Sequence, residues 1–405
     1  MQKKKHILVV SQYFYPEQFR INDICQEWVK RGYQVTVVTG IPNYPEGRFY
    51  TGYGFFKRRT EKWNGVRIIR IPLIARGKTP VGMVANYLSF VISSFLWVRF
   101  TKVKADYVFT FEVSPMTQAL LGVWYSKKHK IPNYLYVQDL WPENVEIVTG
   151  IHSPFILKPI GKMVDYIYKN CDQIFATSPS FVEAICGRGI SKTYVKYLPQ
   201  YAEEYYKPIQ KETQKDLFEK SIFRIIFTGN IGYAQGLDIL PKVSEILKEK
   251  KLQIQFYIVG EGRYKAEMQK EVKKRNVEEY FHFINRQSPE KIPYILAECD
   301  VAFVSFKNDN IFSMTIPAKL QSYLACGVPI IASADGETRR IIEESRSGIC
   351  CEIGNEEKLA EGIIQMKMES DENMRRYGTN AKSYYDQNFC KEKFFAKIES
   401  ECFEK

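Results

Sequence analysis

The chain predicts an α/β protein made of two halves, each a doubly wound parallel sheet with helices on both faces. Three observations carry this. Short apolar runs alternate with helical patterns along nearly the whole length, as expected for strands buried on both faces and joined by crossover helices. The rhythm breaks in a polar stretch at 201–221 and then starts again. A length of 405 residues also exceeds what one core usually supports, whereas two units of roughly 200 residues are ordinary.

Taken in order, strands are expected at 7–10, 35–39, 66–71, 107–110, 134–137, 173–176 and 194–196, and then at 223–228, 255–259, 280–283, 301–304, 329–332 and 348–351. The expected organisation is a domain at 1–200, a linker at 201–221, a second domain at 222–373 and a terminal helix at 374–405. No strand follows that helix, which leaves it free to pack across the domain junction. Ligands of such sheets collect beyond the carboxyl ends of the strands, so functional loops are sought there and in a central cleft between the halves.

The hydrophobic fraction of 45% allows ample core. Nine cysteines are scattered with no C-x-x-C pair and read as reduced, core-filling thiols. The four histidines are unclustered, so no zinc centre is expected. The basic amino terminus runs into an apolar stretch too short for a signal peptide, which points to the cytoplasm.

The net charge of +12 is concentrated in one place. Between Lys57 and Lys104 lie eleven Lys or Arg against one acid, Glu61. Such a stripe suits nucleic acid, an anionic membrane or a phosphorylated substrate. No nucleic-acid signature accompanies it, so no nucleic-acid partner is expected. Inside the stripe, residues 81–98 carry no charge. Asn86, Ser89, Ser93 and Ser94, and the position between strands, argue against a membrane span. Two readings stay open: a buried core helix, or a helix whose Tyr87, Phe90, Phe95 and Trp97 dip into a lipid interface beside Arg99, Lys102 and Lys104.

The most informative motif is 313–331: a loop, a helix opened by Pro317, a stop at Gly327 and a buried strand. Free N–H groups at that helix start, the positive dipole end and Lys319 make an anion site suited to a pyrophosphate. An ordinary αβ unit with a solvated lysine is the plain alternative. The loop with Gly229, Gly232 and Gly236 is spaced G-x-x-G-x-x-x-G, which is not the dinucleotide pattern and weakens a hydride-transfer reading. Gly260 and Gly262 repeat the strand-turn-helix design. In the first half, Asp139 and Glu143 occupy a strand-end loop with Trp141. Asp139 there could take a proton from an attacking hydroxyl, or both acids could cap the following helix. The aromatic and amide-rich loops 11–17 and 42–47 suit sugars, although turn chemistry alone also selects them.

The ordered series Gln12-Tyr13-Phe14-Tyr15-Pro16-Glu17, Pro42-Asn43-Tyr44-Pro45, Asp139-Leu140-Trp141-Pro142-Glu143, Gly229-Asn230-Ile231-Gly232, Ile316-Pro317-Ala318-Lys319 and Tyr323-Leu324-Ala325-Cys326-Gly327-Val328-Pro329 resembles glycosyltransferase family 4. Within it the chain is similar to the bacterial O-antigen and capsule branch that includes N-acetyl-L-fucosamine transferases. The resemblance covers nearly the whole chain. It implies a GT-B fold of two Rossmann-like domains, with acceptor on the first and nucleotide-sugar on the second, retention of configuration and no metal or other cofactor. The absence of a D-x-D triplet agrees with that.

The catalytic residues so implied are Asp139, Glu143 and Lys319. Donor binding falls to Gly229, Asn230, Gly232, Gln235, Gly260, Arg286, Thr315, Ile316, Lys319 and Ser322, and acceptor binding to Tyr13, Tyr15, Glu17, Asn43 and Tyr44. Met314 and Ser322 stand where many members carry two glutamates, and Asn230 and Gln235 where many carry Arg and Lys. Asp139 is the nearest substitute for the family's cleft histidine. The expected activity is transfer of an N-acetylated aminosugar from a UDP-sugar to a polyprenyl-diphosphate-linked glycan. The setting is bacterial surface polysaccharide synthesis, with the protein peripheral on the inner face of the cell membrane. Two rivals are kept: a nucleotide-sugar 2-epimerase of the same fold, and a non-catalytic subunit of a polysaccharide assembly complex.

Overall fold

The computed structural model describes residues 4–150, 152–209 and 222–403. Two compact units result, Met1–Leu198 together with Glu399–Lys405, and Pro199–Ile398. Of the expected linker, positions 210–221 lie outside the described residues.

Unit 1 contains strands β1 (His6–Val10), β2 (Gln34–Thr39), β3 (Thr60–Trp63), β4 (Val66–Arg70), β5 (Tyr107–Glu112), β6 (Asn133–Val137), β7 (Gln173–Ala176) and β8 (Val195–Tyr197). Its helices are α1 (Arg20–Lys30), α2 (Pro80–Phe100), α3 (Ala119–His129), α4 (Glu143–Thr149), α5 (Pro154–Tyr168) and α6 (Pro179–Gly187). The sheet order is β3-β4-β2-β1-β5-β6-β7-β8, parallel except for β3. Every residue of β1, β5 and β6 is buried, because these continuous apolar runs lie between two helical layers. β1 sits between β2 and β5, so the connections diverge there and the loops after β1, β2, β5 and β6 open at one sheet edge. The hairpin strand β3 was not expected: its residues Thr60-Glu61-Lys62-Trp63 read as polar, and they form an edge that charge protects.

α2 is built inside out. Thr79 caps it by accepting from the Gly82 N–H at 3.1 Å, and Pro80 opens the first turn. Its buried stripe is Asn86, Phe90, Ser94 and Val98, one residue per turn. Asn86 accepts from the Gln12 amide at 2.7 Å and donates to the Ile74 carbonyl at 2.6 Å, so the helix is tied to the strand-end loops by an amide network. The apolar side chains Val81, Val84, Leu88, Ile92, Phe95 and Leu96 are exposed instead. Phe90 is fully buried in the core and presents no ring to the outside, contrary to the sequence expectation. Trp97 is half-buried against Tyr125, with ring centroids 5.8 Å apart. The basic stripe also loses one member. Arg70 is buried and pairs with Glu61 at 2.6 Å.

Unit 2 contains β9 (Phe223–Thr228), β10 (Ile254–Val259), β11 (Phe281–Ile284), β12 (Val301–Ser305), β13 (Ile330–Ser333) and β14 (Gly348–Cys351). Its helices are α7 (Ile239–Glu249), α8 (Lys265–Lys274), α9 (Ile292–Ala297), α10 (Asn310–Met314), α11 (Ala318–Cys326), α12 (Gly336–Ser345), α13 (Glu356–Met368), α14 (Asp371–Asn388) and α15 (Lys391–Ile398). The all-parallel sheet runs β11-β10-β9-β12-β13-β14, with its own switch between β9 and β12. The expected single terminal helix from 374 is two helices and a turn. It starts at Asp371, breaks after Asn388, and ends in the turn Glu399–Phe403, which belongs to unit 1. There Phe403 lies 4.9 Å from Tyr107, and the Tyr134 hydroxyl donates to the Cys402 carbonyl at 2.7 Å.

Candidate active site

Each unit gathers polar chemistry at the carboxyl edge of its sheet. In unit 2 the centre is Lys319, the second residue of α11. Pro317 is the N-cap of that helix rather than its first residue, and Gly327 closes it in the left-handed conformation at φ 65°. The Tyr323 hydroxyl accepts from the Thr228 N–H at 2.8 Å, which fixes α11 to the end of β9. The Lys319 ammonium donates to the Gln235 side-chain carbonyl and stands 3.9 Å over the Phe227 ring. No carboxylate pairs with it among the described residues. Burial without a counter-ion pushes its pKa down to about 7.

Gly229 and Gly260 occupy adjacent strand ends. Gly229 has φ 129° and Gly260 φ 149°, and a Cβ on Gly260 would strike the Gly229 carbonyl oxygen at 1.9 Å. These glycines therefore let two loops close on each other in front of Lys319, whose side chain lies 3.9 Å from where a Gly229 Cβ would be. Other expected donor residues fare less well. The Ser322 hydroxyl donates to the Ala318 carbonyl and that of Thr315 to the Ile311 carbonyl, so both are spent on their own helices. Ile316 is buried. Asn230 and Arg286 are exposed, and Arg286 forms no ion pair among the described residues.

In unit 1 a cavity of about 650 Å³ opens between the strand-end loops and α2, α4 and α5. Tyr13, Tyr44, Tyr87, Arg76, Asp139 and Asn144 line it. Asp139 does not cap α4, which begins at Glu143 without a side-chain cap. It accepts instead from the Ser114 N–H at 2.7 Å. The Ser114 hydroxyl in turn accepts from the Trp141 indole at 3.1 Å and the Asn144 amide at 2.6 Å. Burial raises the Asp139 pKa, and the Ser114 hydrogen bonds oppose the rise. Behind it lies Glu112, at the end of β5. It is fully buried, neither carboxyl oxygen has a hydrogen-bond partner of good geometry, and burial followed by the charge of Asp139 drives its pKa well up. Burial thus favours the protonated form of Glu112 behind Asp139.

Four expected contacts need correction. Glu17 is buried and accepts from the Phe14, Asn43 and Tyr44 N–H groups at 3.2, 2.8 and 2.7 Å, so it clasps two loops and presents nothing to a sugar. Burial raises its pKa to about 7, and the hydrogen bonds from those amides oppose the rise. Asn43 is buried too, donating to the Ile41 carbonyl and accepting from the Arg76 N–H. Tyr15 stacks on Trp63 at 4.3 Å, away from the cavity. Glu143 lies in the first turn of α4 and is absent from the cavity lining, whereas Asn144 is in it. Ser114, Asn144 and Glu112 were assigned no role, and Arg76 was read only as part of the basic stripe. For Glu112, an acid at the end of an otherwise apolar strand was the available signal.

Among the described residues no group of three or more His, Cys, Asp or Glu is arranged to hold a metal ion.

Residues 18–200 match the family model described as Glycosyl transferase 4-like domain, and residues 208–384 that of Glycosyl transferases group 1. The chain thus belongs to the glycosyltransferases of GT-B type, with one family domain in each half. It is 23% identical over 409 residues to the Escherichia coli K12 protein WcaI, whose name assigns it to colanic acid biosynthesis as a glycosyl transferase; the match covers 95% of this chain and 97% of WcaI. Among solved structures it is similar to the Thermosynechococcus elongatus sucrose-phosphate synthase, with TM-score 0.75, 15% identity and 98% of each chain covered. It is also similar to Anabaena HepE in complex with UDP-glucose, with TM-score 0.68, 14% identity and 98% of each chain covered. The two α/β sheets and these likenesses establish the GT-B fold that the sequence led us to expect.

Proposed function

We propose that the protein transfers a sugar, an N-acetylated aminosugar, from a UDP donor to a polyprenyl-diphosphate-linked glycan during bacterial surface polysaccharide synthesis, with retention of configuration and without a metal ion. The observation that carries the reading is Lys319: a cation desolvated at a helix start, with no carboxylate partner among the described residues, in front of two glycine loops. A leaving diphosphate supplies the charge this site lacks, and preorganised N–H groups and an ammonium stabilise it as charge develops. HepE, of the same fold, was crystallised with UDP-glucose. In unit 1, Asp139 would accept the proton of the acceptor hydroxyl, held in orientation by Ser114. The exposed apolar face of α2, with Arg99, Lys102 and Lys104 exposed at its end, suits peripheral attachment to the cytoplasmic leaflet where such an acceptor resides.

The test is a donor screen with UDP-sugars in the presence of a short prenyl-diphosphate saccharide, following UDP release and the anomeric configuration of the product with and without EDTA. UDP release that requires the lipid acceptor and persists in EDTA is expected. Conversion of the UDP-sugar to its epimer without acceptor would establish the epimerase instead. Nucleotide binding with no turnover on any acceptor would leave a non-catalytic subunit.

A further inference from the structure

Arg76 is a cation with no carboxylate partner among the described residues, in a cavity that joins polar side chains to an apolar wall. Its side chain is half-buried, its guanidinium donates to the Met83 sulfur at 3.2 Å, and it lies 5.4 Å from the centroid of the Tyr44 ring. No carboxylate lies within ion-pair distance of it among the described residues, and Asp139, which lines the same cavity, is engaged with Ser114. A thioether and a ring face are weak partners for a guanidinium, so an anion entering here gains a charge-assisted contact at little cost. Tyr13, buried beside it, has a hydroxyl next to that of Tyr87 but no well-formed hydrogen bond. The rest of the lining is apolar, with Val84 and Leu88 from α2 and Ile156, Ile160 and Met163 from α5. Val84, Leu88 and Ile156 are also exposed, so the apolar lining continues to the surface.

We propose that this cavity binds the junction of a prenyl diphosphate, with the diphosphate at Arg76 and the first isoprene units between α2 and α5. This rests on the reading of a lipid-linked acceptor and specifies which part of it unit 1 recognises. A sugar would leave the α2 and α5 walls without partners, because they offer no hydrogen bonds. A free phosphate would leave the same walls wet. An amphiphile with an anionic head and a hydrocarbon chain satisfies both ends at once.

The experiment titrates the intact protein with farnesyl diphosphate, inorganic pyrophosphate, farnesol and dodecyl phosphate below their aggregation limits. Fluorescence of Trp141, which lines the cavity, and thermal shift report binding. Farnesyl diphosphate should bind about tenfold or more tightly than pyrophosphate or farnesol. Arg76→Gln should reduce it to the level of farnesol, while Leu88→Gln with Ile156→Gln, both at exposed wall positions, should remove the advantage of the chain and spare pyrophosphate. Equal binding of pyrophosphate, or an unchanged affinity in Arg76→Gln, overturns the proposal. Equal binding of dodecyl phosphate also overturns it, by assigning the cavity to an acyl lipid. None of these probes contains a sugar or a nucleotide, so the result is separable from the transferase reading. Farnesyl diphosphate binding without transfer would sink that reading alone, and transfer without such binding would sink this site alone.

Discussion

In unit 2 the group placed for chemistry is a single cation, Lys319, held over an aromatic ring with an amide oxygen as its polar partner. In unit 1 it is a pair of carboxyls, Asp139 and Glu112, at the ends of neighbouring strands. Burial acts on both and shifts them in opposite directions: the lysine down to about 7, the two acids up. An anionic ligand would restore the charge of the lysine, and on the proposed reading that ligand is the donor diphosphate. Asp139 is already anchored by Ser114, and a raised pKa makes its carboxylate a better proton acceptor. In the proposed reaction unit 2 would meet charge that arrives with the donor, and unit 1 would take a proton from the acceptor.

The largest effect is expected at Asp139. An amide in its place can still accept the Ser114 N–H, so Asp139→Asn keeps the loop and removes only the charge. Turnover should fall by about 100-fold or more, the range of a lost general base, with UDP affinity unchanged. A variant that is folded and nearly fully active would leave Asp139 as a loop fastener.

Next comes Lys319→Ala, which should weaken the UDP complex by roughly 10- to 100-fold, matching about 1.5–3 kcal/mol for a charge-assisted contact. The same comparison is sharper in its pH dependence. With a free pKa of about 7 and a higher one once diphosphate is bound, donor affinity should be flat below neutral pH and decline above it. Calorimetry at pH 8 in two buffers of different ionisation enthalpy should show proton uptake on UDP binding in wild type and none in Lys319→Ala. Equal heats in both buffers for wild type would mean that the ammonium is already charged before the donor arrives.

A smaller effect is expected on α2. Replacing Val84 and Ile92 with Gln removes exposed apolar surface, so stability should hold while vesicle binding weakens by about 1 kcal/mol per side chain. Arg99, Lys102 and Lys104 replaced by Ser should make the residual binding insensitive to salt. Wild type that ignores anionic vesicles at low salt would leave α2 to another partner.

How much of this was legible follows from what each residue depends on. Strands such as 173–176, 223–228 and 348–351 were read with their observed limits, because apolar runs between turn residues need only local sequence. Lys319 was legible for the same reason, framed by Pro317 and Gly327. Glu17 was not, since its burial depends on the amides of residues 43 and 44 in a different loop. Phe90 was misjudged because α2 turns its amide and hydroxyl side chains inward, the reverse of an ordinary amphipathic helix. Arg70 and Arg76 were counted as surface charge, yet one is buried in an ion pair and the other lines a cavity. Such assignments need the tertiary fold.

The last test isolates the second carboxyl of unit 1. Glu112 keeps its proton in the folded chain to a pH well above the ordinary carboxylate range, while the unfolded chain loses it near 4.5. The folded state therefore binds more protons over that interval, and stability falls as pH rises through it, by at most about 1.4 kcal/mol per unit. Glu112→Gln replaces a neutral acid with a neutral amide of the same shape and removes this slope. Urea unfolding at a series of pH values should find the variant close to wild type at pH 4.5 and progressively more stable than wild type toward pH 8. Glu17 contributes a slope of the same sign in both proteins, so it cancels in the difference. If the two curves stay parallel, Glu112 does not hold its proton in the folded state, and Asp139 has a charged neighbour instead of a neutral one.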